Sequence, residues 1–353
     1  MVKRFAFAIP GDLATPTGGY AYDRRIIAEL QKQGWQIDVI GLGDGFPQPT
    51  AAQKDFAEQQ LAAVAPEIPI VIDGLAFGVL PEAAEKLKAR RLIGLVHHPL
   101  AFESGIAPET AEVLLKSERA SLAVTRHVIV NSPSTSQLLA DDYDIPPEHV
   151  TVAPPGTDRA EPAPGSRDGI VRLVSVGAVV PRKGFDVLIA ALAEIKSLPW
   201  RLTIAGDRTR DAAEAARLDA EIARHGLGDR VAVLGALPAE RIAALYHEAD
   251  LFVLASRFEG YGMAYAEALA HGLPVIGTTG GAIPDTVPPE AGVLVEPNEV
   301  KPLAHALRML IVNTDERLWL ASGARNVAKT LPTWEDSAKL FVQGLEQAAE
   351  ANA

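Results

Sequence analysis

The stretch Leu251-Phe-Val-Leu254, Ala255, Ser256-Arg-Phe-Glu259-Gly-Tyr-Gly-Met-Ala-Tyr-Ala-Glu267 decides the fold class. Its opening is a short apolar run that stops at a polar residue, the pattern of a buried strand. Gly260 and Gly262 then allow a tight turn with close backbone approach. The alanine-rich run from Met263 reads as a helix that ends near His271-Gly272. Strand, glycine turn and helix in this order form the repeating unit of a doubly wound parallel sheet. Glu259 falls in the turn and Glu267 about one turn inside the helix. The helix N-terminus between them offers free N–H groups to an anion. A carboxylate favoured by the helix dipole, followed by an exposed helical glutamate, explains the same spacing.

The alternation extends in both directions. Downstream of 161, strands are expected at Val171–Val176, Trp200–Ala205, Val231–Leu234, Leu251–Leu254, Pro274–Ile276 and Gly292–Val295. Helices are expected at 184–196, 211–225, 239–247, 263–271 and 301–311, with a last helix over Thr333–Ala349 after Pro332. Upstream, Phe5–Ile9, Ile37–Ile40, Ile70–Ile72, Leu92–Val96 and Val128–Val130 form a second strand series. Helices near 20–33, 81–89, 109–125 and 134–140 alternate with them, and Pro162 to Gly169 reads as a linker. The expected organisation is an N-terminal Rossmann-like domain over 1–160. A second such domain covers 161–332, and the helix at 333–353 packs back toward the first. Two doubly wound α/β domains facing across a cleft place their strand ends around a shared site.

Composition excludes several classes. The 353 residues are 48% hydrophobic and 22% charged, a globular balance. A net charge of −12, split evenly between 1–160 and 161–353, gives neither half the basic character that nucleic-acid binding favours. No cysteine occurs, so disulfides and thiolate metal sites are excluded and a cytoplasmic location is preferred. The apolar runs are too short to span a bilayer. Lys86, Lys88, Arg90 and Arg91 read as a solvated helical face, with peripheral contact at the inner face of the membrane as the alternative.

Several motifs mislead. Gly41-Leu-Gly-Asp-Gly45 has the spacing G-x-G-x-G, without the sixth-position glycine of a dinucleotide fingerprint, and follows the second strand, not the first. His97-His98 suggests a metal, yet no H-x-x-x-H or matching carboxylate cluster follows it. Asp141-Asp-Tyr-Asp144 reads as a solvated turn. The informative loops all follow strands. Gly177 to Gly184 contains Arg182-Lys183, two cations beside a glycine and a helix start, suited to a diphosphate. Gly206-Asp207-Arg208 and Thr278-Thr-Gly280-Gly281 add two tight turns on the same rim.

Gly18-Gly19 after the first strand, Arg182-Lys183-Gly184, Gly206-Asp207 and the E-x7-E segment Glu259 to Glu267 together resemble the retaining GT-B glycosyltransferases of family 4. The similarity is weak over 1–150 and strong from Val152 to about Val295. It implies the GT-B fold and transfer of a hexose from a UDP- or GDP-linked sugar, with no cofactor and no metal. Arg182 and Lys183 would bind the donor diphosphate, Glu259 a hydroxyl of the donor sugar, and Glu267 the ribose hydroxyls. Tyr261, Gly262 and Met263 would contact sugar and phosphate through their backbones. Asp207 with Gly206 and the segment 235–238, which contains Leu237, would border the base. His97 matches the histidine such enzymes direct at the donor sugar, although His98 could exchange roles with it. Gly18 and Gly19 would form the loop near the donor phosphates, and Glu103 would line the acceptor side. Pro155 stands where many relatives carry Asn, which leaves the acceptor open among saccharide, lipid-linked and small-molecule types. The competing readings are a nucleotide-sugar epimerase of the same fold and a non-catalytic nucleotide-sugar-binding protein. A dehydrogenase is undercut by the missing fingerprint.

Overall fold

The computed structural model describes residues 3–350. The chain divides into two units, one formed by 1–156 with 332–353 and the other by 157–331. The first holds a six-stranded sheet of β1 (Arg4–Ile9), β2 (Gln36–Gly41), β3 (Ile70–Asp73), β4 (Leu92–Val96), β5 (His127–Val130) and β6 (Val150–Val152). Its order is β2-β1-β3-β4-β5-β6, with every pairing parallel. The second holds β7 (Val171–Val176), β8 (Trp200–Ala205), β9 (Val231–Val233), β10 (Leu251–Val253), β11 (Val275–Thr278) and β12 (Gly292–Val295). Its order is β12-β11-β10-β7-β8-β9, again parallel. Each order reverses direction once, between β1 and β3 and between β7 and β10. Loops leaving a sheet at such a point splay apart and open a crevice at the carboxyl ends of the strands.

β3, β4, β5 and β10 are buried along their whole length. This is the apolar signature of parallel strands covered on both faces. The last helix, Trp334–Glu350, belongs to the first unit. Its Phe341 is fully buried, with ring centroids 6.0 Å from Phe5 and 6.3 Å from Phe7. Truncating such an aromatic to alanine costs about 3–5 kcal/mol.

Some elements lie outside the expected pattern, among them the short helices Gly74–Phe77 and Ile283–Thr286. Helix Ala51–Ala63 buries only Ala57 and Leu61, so its amphipathic signal is faint, although Thr50 and Gln53 form a reciprocal capping box at its start. Helix Thr314–Val327 likewise starts from an Asn313 side-chain cap. β6 is three residues long, below the length at which a periodic pattern is visible. The segment 162–169 is held to the second unit. Asp250 accepts from Ser166 N and Arg172 N, and Ala163 N donates to His271 O.

Candidate functional site

At the switch point of the second sheet three charged residues meet: Arg182, Lys183 and Glu259. The loop after β7 closes in a 3-10 turn, Pro181–Lys183, and enters helix Phe185–Glu194 through Gly184. Gly184 has φ +64°, and a Cβ there would lie 2.0 Å from Ala255 O, so only glycine lets this turn touch the loop after β10. The stem of Lys183 lies over Gly177, whose added Cβ would meet Lys183 Cε at 3.2 Å. Both cations then converge on one carboxylate. Lys183 Nζ donates to Glu259 Oε1 at 2.6 Å and Arg182 Nη1 to Glu259 Oε2 at 3.0 Å. Arg182 also donates to Phe258 O, and Ser256 Oγ to Glu259 Oε1 at 2.6 Å. Burial pushes the Glu259 acid upward, but the Lys183 ammonium and the Arg182 guanidinium outweigh it and hold the carboxyl at about 2. Burial lowers Lys183 despite Glu259, with Arg182 and Arg210 adding to the fall. Two cations against one carboxylate leave the cluster net positive, at a spot where the Pro181–Gly184 turn leads into a helix. An incoming anion of multiple charge suits this site.

Helix Met263–Ala270 starts from Gly262 at φ +90°, a conformation that leaves the following N–H groups at the helix mouth. Tyr261 is buried, and its carbonyl accepts from Thr286 Oγ1 at 2.8 Å. Met263 is half-buried. Glu267 is not an exposed helical residue: Tyr246 OH donates to its Oε2 at 3.0 Å, and desolvation raises its acid to about 7. A carboxyl poised near neutrality both accepts and donates hydrogen bonds. Asp207 spends its carboxylate inside its own turn, on Thr209 N and Oγ1, both at 2.7 Å. Those bonds lower its acid. The same turn receives Val179 N on Asp207 O, while Gly206 N donates to Gly235 O. The loops after β7, β8 and β9 are thus laced together, with half-buried Leu237 in the last of them.

In the first unit, helix Gly18–Lys32 follows β1 and is capped by Thr17 Oγ1 on Tyr20 N. Gly18 is exposed at its tip, and Gly19 packs on His97, whose Cδ2 would lie 3.2 Å from an added Cβ. His97, just past β4, does have carboxylate partners, contrary to the sequence expectation. Its Nε2 lies 2.9 Å from Asp23 Oδ1 and 3.8 Å from Asp73 Oδ2. The three ligand-type atoms all fall within 4.8 Å of one another. The acids come from upstream, one from the helix after β1 and one from the end of β3, so no local spacing around His97 reveals them. Asp23 sits one helical turn beyond Gly19, and that i+4 relation was the available signal. Asn131, at the end of β5, donates from Nδ2 to His97 O at 3.0 Å, and Tyr22 meets the imidazole edge-on at 5.1 Å.

The carboxyl of Asp73 is raised to about 7, first by burial and then by the charge of Asp23, with His97 opposing. Burial presses the His97 pKa downward, but Asp23 and then Asp73 carry it above the ordinary value. The cluster orients an imidazole and holds protons near neutrality; its donor set also matches a divalent-ion site. His98 instead lies 3.6 Å from Glu103. The basic run is consumed locally: Lys86 binds Glu58, Lys88 binds Glu85, and Arg90 and Arg91 donate to backbone carbonyls. Among the described residues no helix is long and apolar enough to cross a membrane.

Residues 158–327 match the family model for Glycosyl transferases group 1. The chain is 29% identical over 266 residues to a D-inositol 3-phosphate glycosyltransferase of Rhodococcus erythropolis, covering 71% of this chain and 60% of the relative. It spans 51–60% of the length of the first three such curated relatives. Among solved structures it is similar to sucrose-phosphate synthase from Thermosynechococcus elongatus, with TM-score 0.82, 22% identity and coverage of 99% and 100% of the two chains. It is also similar to HepE of Anabaena in complex with UDP and glucose, with TM-score 0.74, 20% identity and coverage of 98% and 100%. With these neighbours, the two parallel sheets make an α/β GT-B fold of two Rossmann-like domains. The family match thus covers just under half of the chain, and the relatives it resembles bear the names of glycosyltransferases.

Proposed function

We propose that the chain is a retaining glycosyltransferase of family 4, moving a hexose from a UDP- or GDP-linked sugar to a hydroxyl acceptor without a metal. The observation that carries the reading is the convergence of Arg182 and Lys183 on Glu259 at the switch point of the second sheet. In the free protein Glu259 occupies both cations. A bound diphosphate takes them over as stronger charge, and Glu259 is released to accept from a sugar hydroxyl. Glu267, held by Tyr246, takes the ribose hydroxyls, and the loop with Leu237 borders the base. The HepE neighbour was captured with UDP and glucose, which supports a uridine donor among the two.

The chemistry asks for leaving-group stabilisation more than for an acid–base pair. As the bond to the anomeric carbon breaks, charge grows on the diphosphate, where Arg182, Lys183 and a helix N-terminus meet it. The acceptor oxygen bonds to the anomeric carbon on the face the diphosphate is leaving, and its proton passes to that phosphate; attack on the same face retains configuration. In the first unit His97, oriented by Asp23 and Asp73, is assigned to the donor sugar, with Gly18 and Gly19 beside it. The acceptor class stays with this unit, as a saccharide, lipid-linked or small-molecule hydroxyl.

Incubation with UDP-glucose and GDP-mannose, with and without chelator, tests the reading. Release of nucleoside diphosphate with an axial anomeric product, unaffected by chelation, is expected. An inverted product would remove the retaining assignment. Loss of turnover on chelation would move the Asp23–Asp73–His97 cluster into the role of a metal site.

A further inference from the structure

The residue between Ser256 and Phe258 touches neither the cations nor the carboxylate of the site by its side chain, yet it holds the loops that carry them. Arg257 N donates to Arg182 O at 2.7 Å, and its Nη1 donates to Pro181 O. The turn bearing Arg182 and Lys183 is thus fixed by this one residue through two successive carbonyls. Nη2 forks onto Asp186 Oδ1 and Oδ2 at 3.0 and 2.8 Å, in the first turn of the helix that follows the cations. Nε donates to Asn298 Oδ1 at 2.7 Å, in the loop after β12, where Asn298 adopts φ +68°. Asp186 is also met by Arg217 at 3.2 Å, so the anchor is itself braced. The Arg257 side chain is 23% exposed and that of Asp186 18%, which shields the pair from full solvent screening. Two residues further on, Glu259 receives both cations.

We propose that Arg257 is a positioning residue that fixes the spacing of Arg182, Lys183 and Glu259, and with it the affinity of this site for a diphosphate. The inference rests on the donor-site reading above. A lysine cannot replace it, because an ammonium lacks the planar fork that serves a carboxylate, a carbonyl and an amide at once.

The test uses the full chain with Arg257→Ala and Arg257→Lys, with three readouts. The first is acylation of Lys183 by an amine-directed ester, followed by peptide mass spectrometry and needing no ligand. The second is affinity for UDP and GDP, with the donor KM and kcat taken separately. The third is rescue of Arg257→Ala by millimolar guanidinium. In both variants Lys183 is expected to label several-fold faster, and diphosphate affinity and donor KM to worsen by about tenfold or more, the size of one charge-assisted hydrogen bond. Guanidinium recovers part of the loss in the alanine variant only. Labelling and affinity equal to those of the unmodified protein would overturn the proposal, as would a loss that guanidinium leaves untouched. If the alanine variant does not fold, Arg257→Gln, which keeps a donor near the carbonyl and amide, carries the same readouts. If the unmodified protein binds no nucleoside diphosphate, the donor-site reading falls, while Lys183 labelling still decides the role of Arg257.

Discussion

At the carboxyl end of the second sheet two cations close on one carboxylate, whereas at the carboxyl end of the first a single histidine closes on two. Both clusters sit where loops leave a parallel sheet, and both are largely buried. Their electrostatics nevertheless run in opposite directions. Glu259 is held at about 2 by its neighbours and stays ionised throughout the physiological range. Asp73 is raised to about 7 first by burial away from water and then by the second carboxylate, Asp23, beside it. The same architecture thus yields a fixed positive site in one unit and a proton-exchanging site in the other. The first suits an anion that must be held; the second suits hydroxyls and a titrating imidazole.

The contrast breaks most sharply at Lys183. Lys183→Ala removes half of the positive charge facing the leaving group, and kcat/KM with the donor is expected to fall about 10²–10³-fold, the cost of one charge-stabilising donor. Circular dichroism should be unchanged. A steady-state assay returning activity within a few-fold of the parent would show that the cluster is only structural.

Next comes Glu267. Its carboxyl, raised to about 7 by desolvation, ionises as pH climbs from 6 to 8, so the donor KM should decrease over that interval. Glu267→Gln should raise KM roughly tenfold and flatten the profile, because the amide cannot ionise. A profile that keeps its slope in the variant would detach the pH response from this residue.

Asp23→Asn sharpens the other side. Asp23 is the main influence lifting His97 against its burial, so the variant should move the histidine-dependent limb of the pH–rate profile to lower pH. A fall in kcat of roughly tenfold is expected, as one hydrogen bond to a charged group is weakened. An unmoved limb would mean that His97 does not titrate in turnover.

The smallest effect concerns stability. Glu118 lies fully buried beneath the segment that follows His97, accepting from Leu100 N and Tyr143 OH, and burial raises its acid to about 7. A folded pKa above the unfolded one contributes stability that is present below the unfolded value and lost as pH rises through the folded one. Between pH ~4.5 and ~7 this group should therefore reduce stability with rising pH, by at most ~1.4 kcal/mol per unit. Denaturant melts of Glu118→Gln should show a shallower decline over that window, and an identical decline would exclude Glu118 as a contributor.

The two regions also differ in how far the sequence discloses them. The second sheet was legible because its chemistry is local: each strand, turn and helix start lies within a dozen residues, and Arg182-Lys183 and Glu259 to Glu267 sit in those turns. Even there, spacing showed which residues flank the crevice but not that both cations spend their charge on Glu259. Nor did it mark Tyr246, Ser256 and Arg257, whose contacts arise only when separate loops pack. In the first unit the key pairs span 74 and 24 residues, from Asp23 and Asp73 to His97. No periodic pattern connects such positions; the parallel topology does, by bringing the ends of β1, β3 and β4 to one edge. Helix Ala51–Ala63 escaped for a related reason, because it buries too little apolar surface to stand out from a polar loop.

The central claim is that Arg182, Lys183 and Glu259 form the seat of a nucleoside diphosphate. Isothermal titration of UDP and GDP into the parent protein and into Lys183→Ala tests it most directly. The account predicts that at least one of the two binds the parent and that the variant loses tenfold or more of that affinity. Binding of neither to the parent, or equal binding to both proteins, would contradict it.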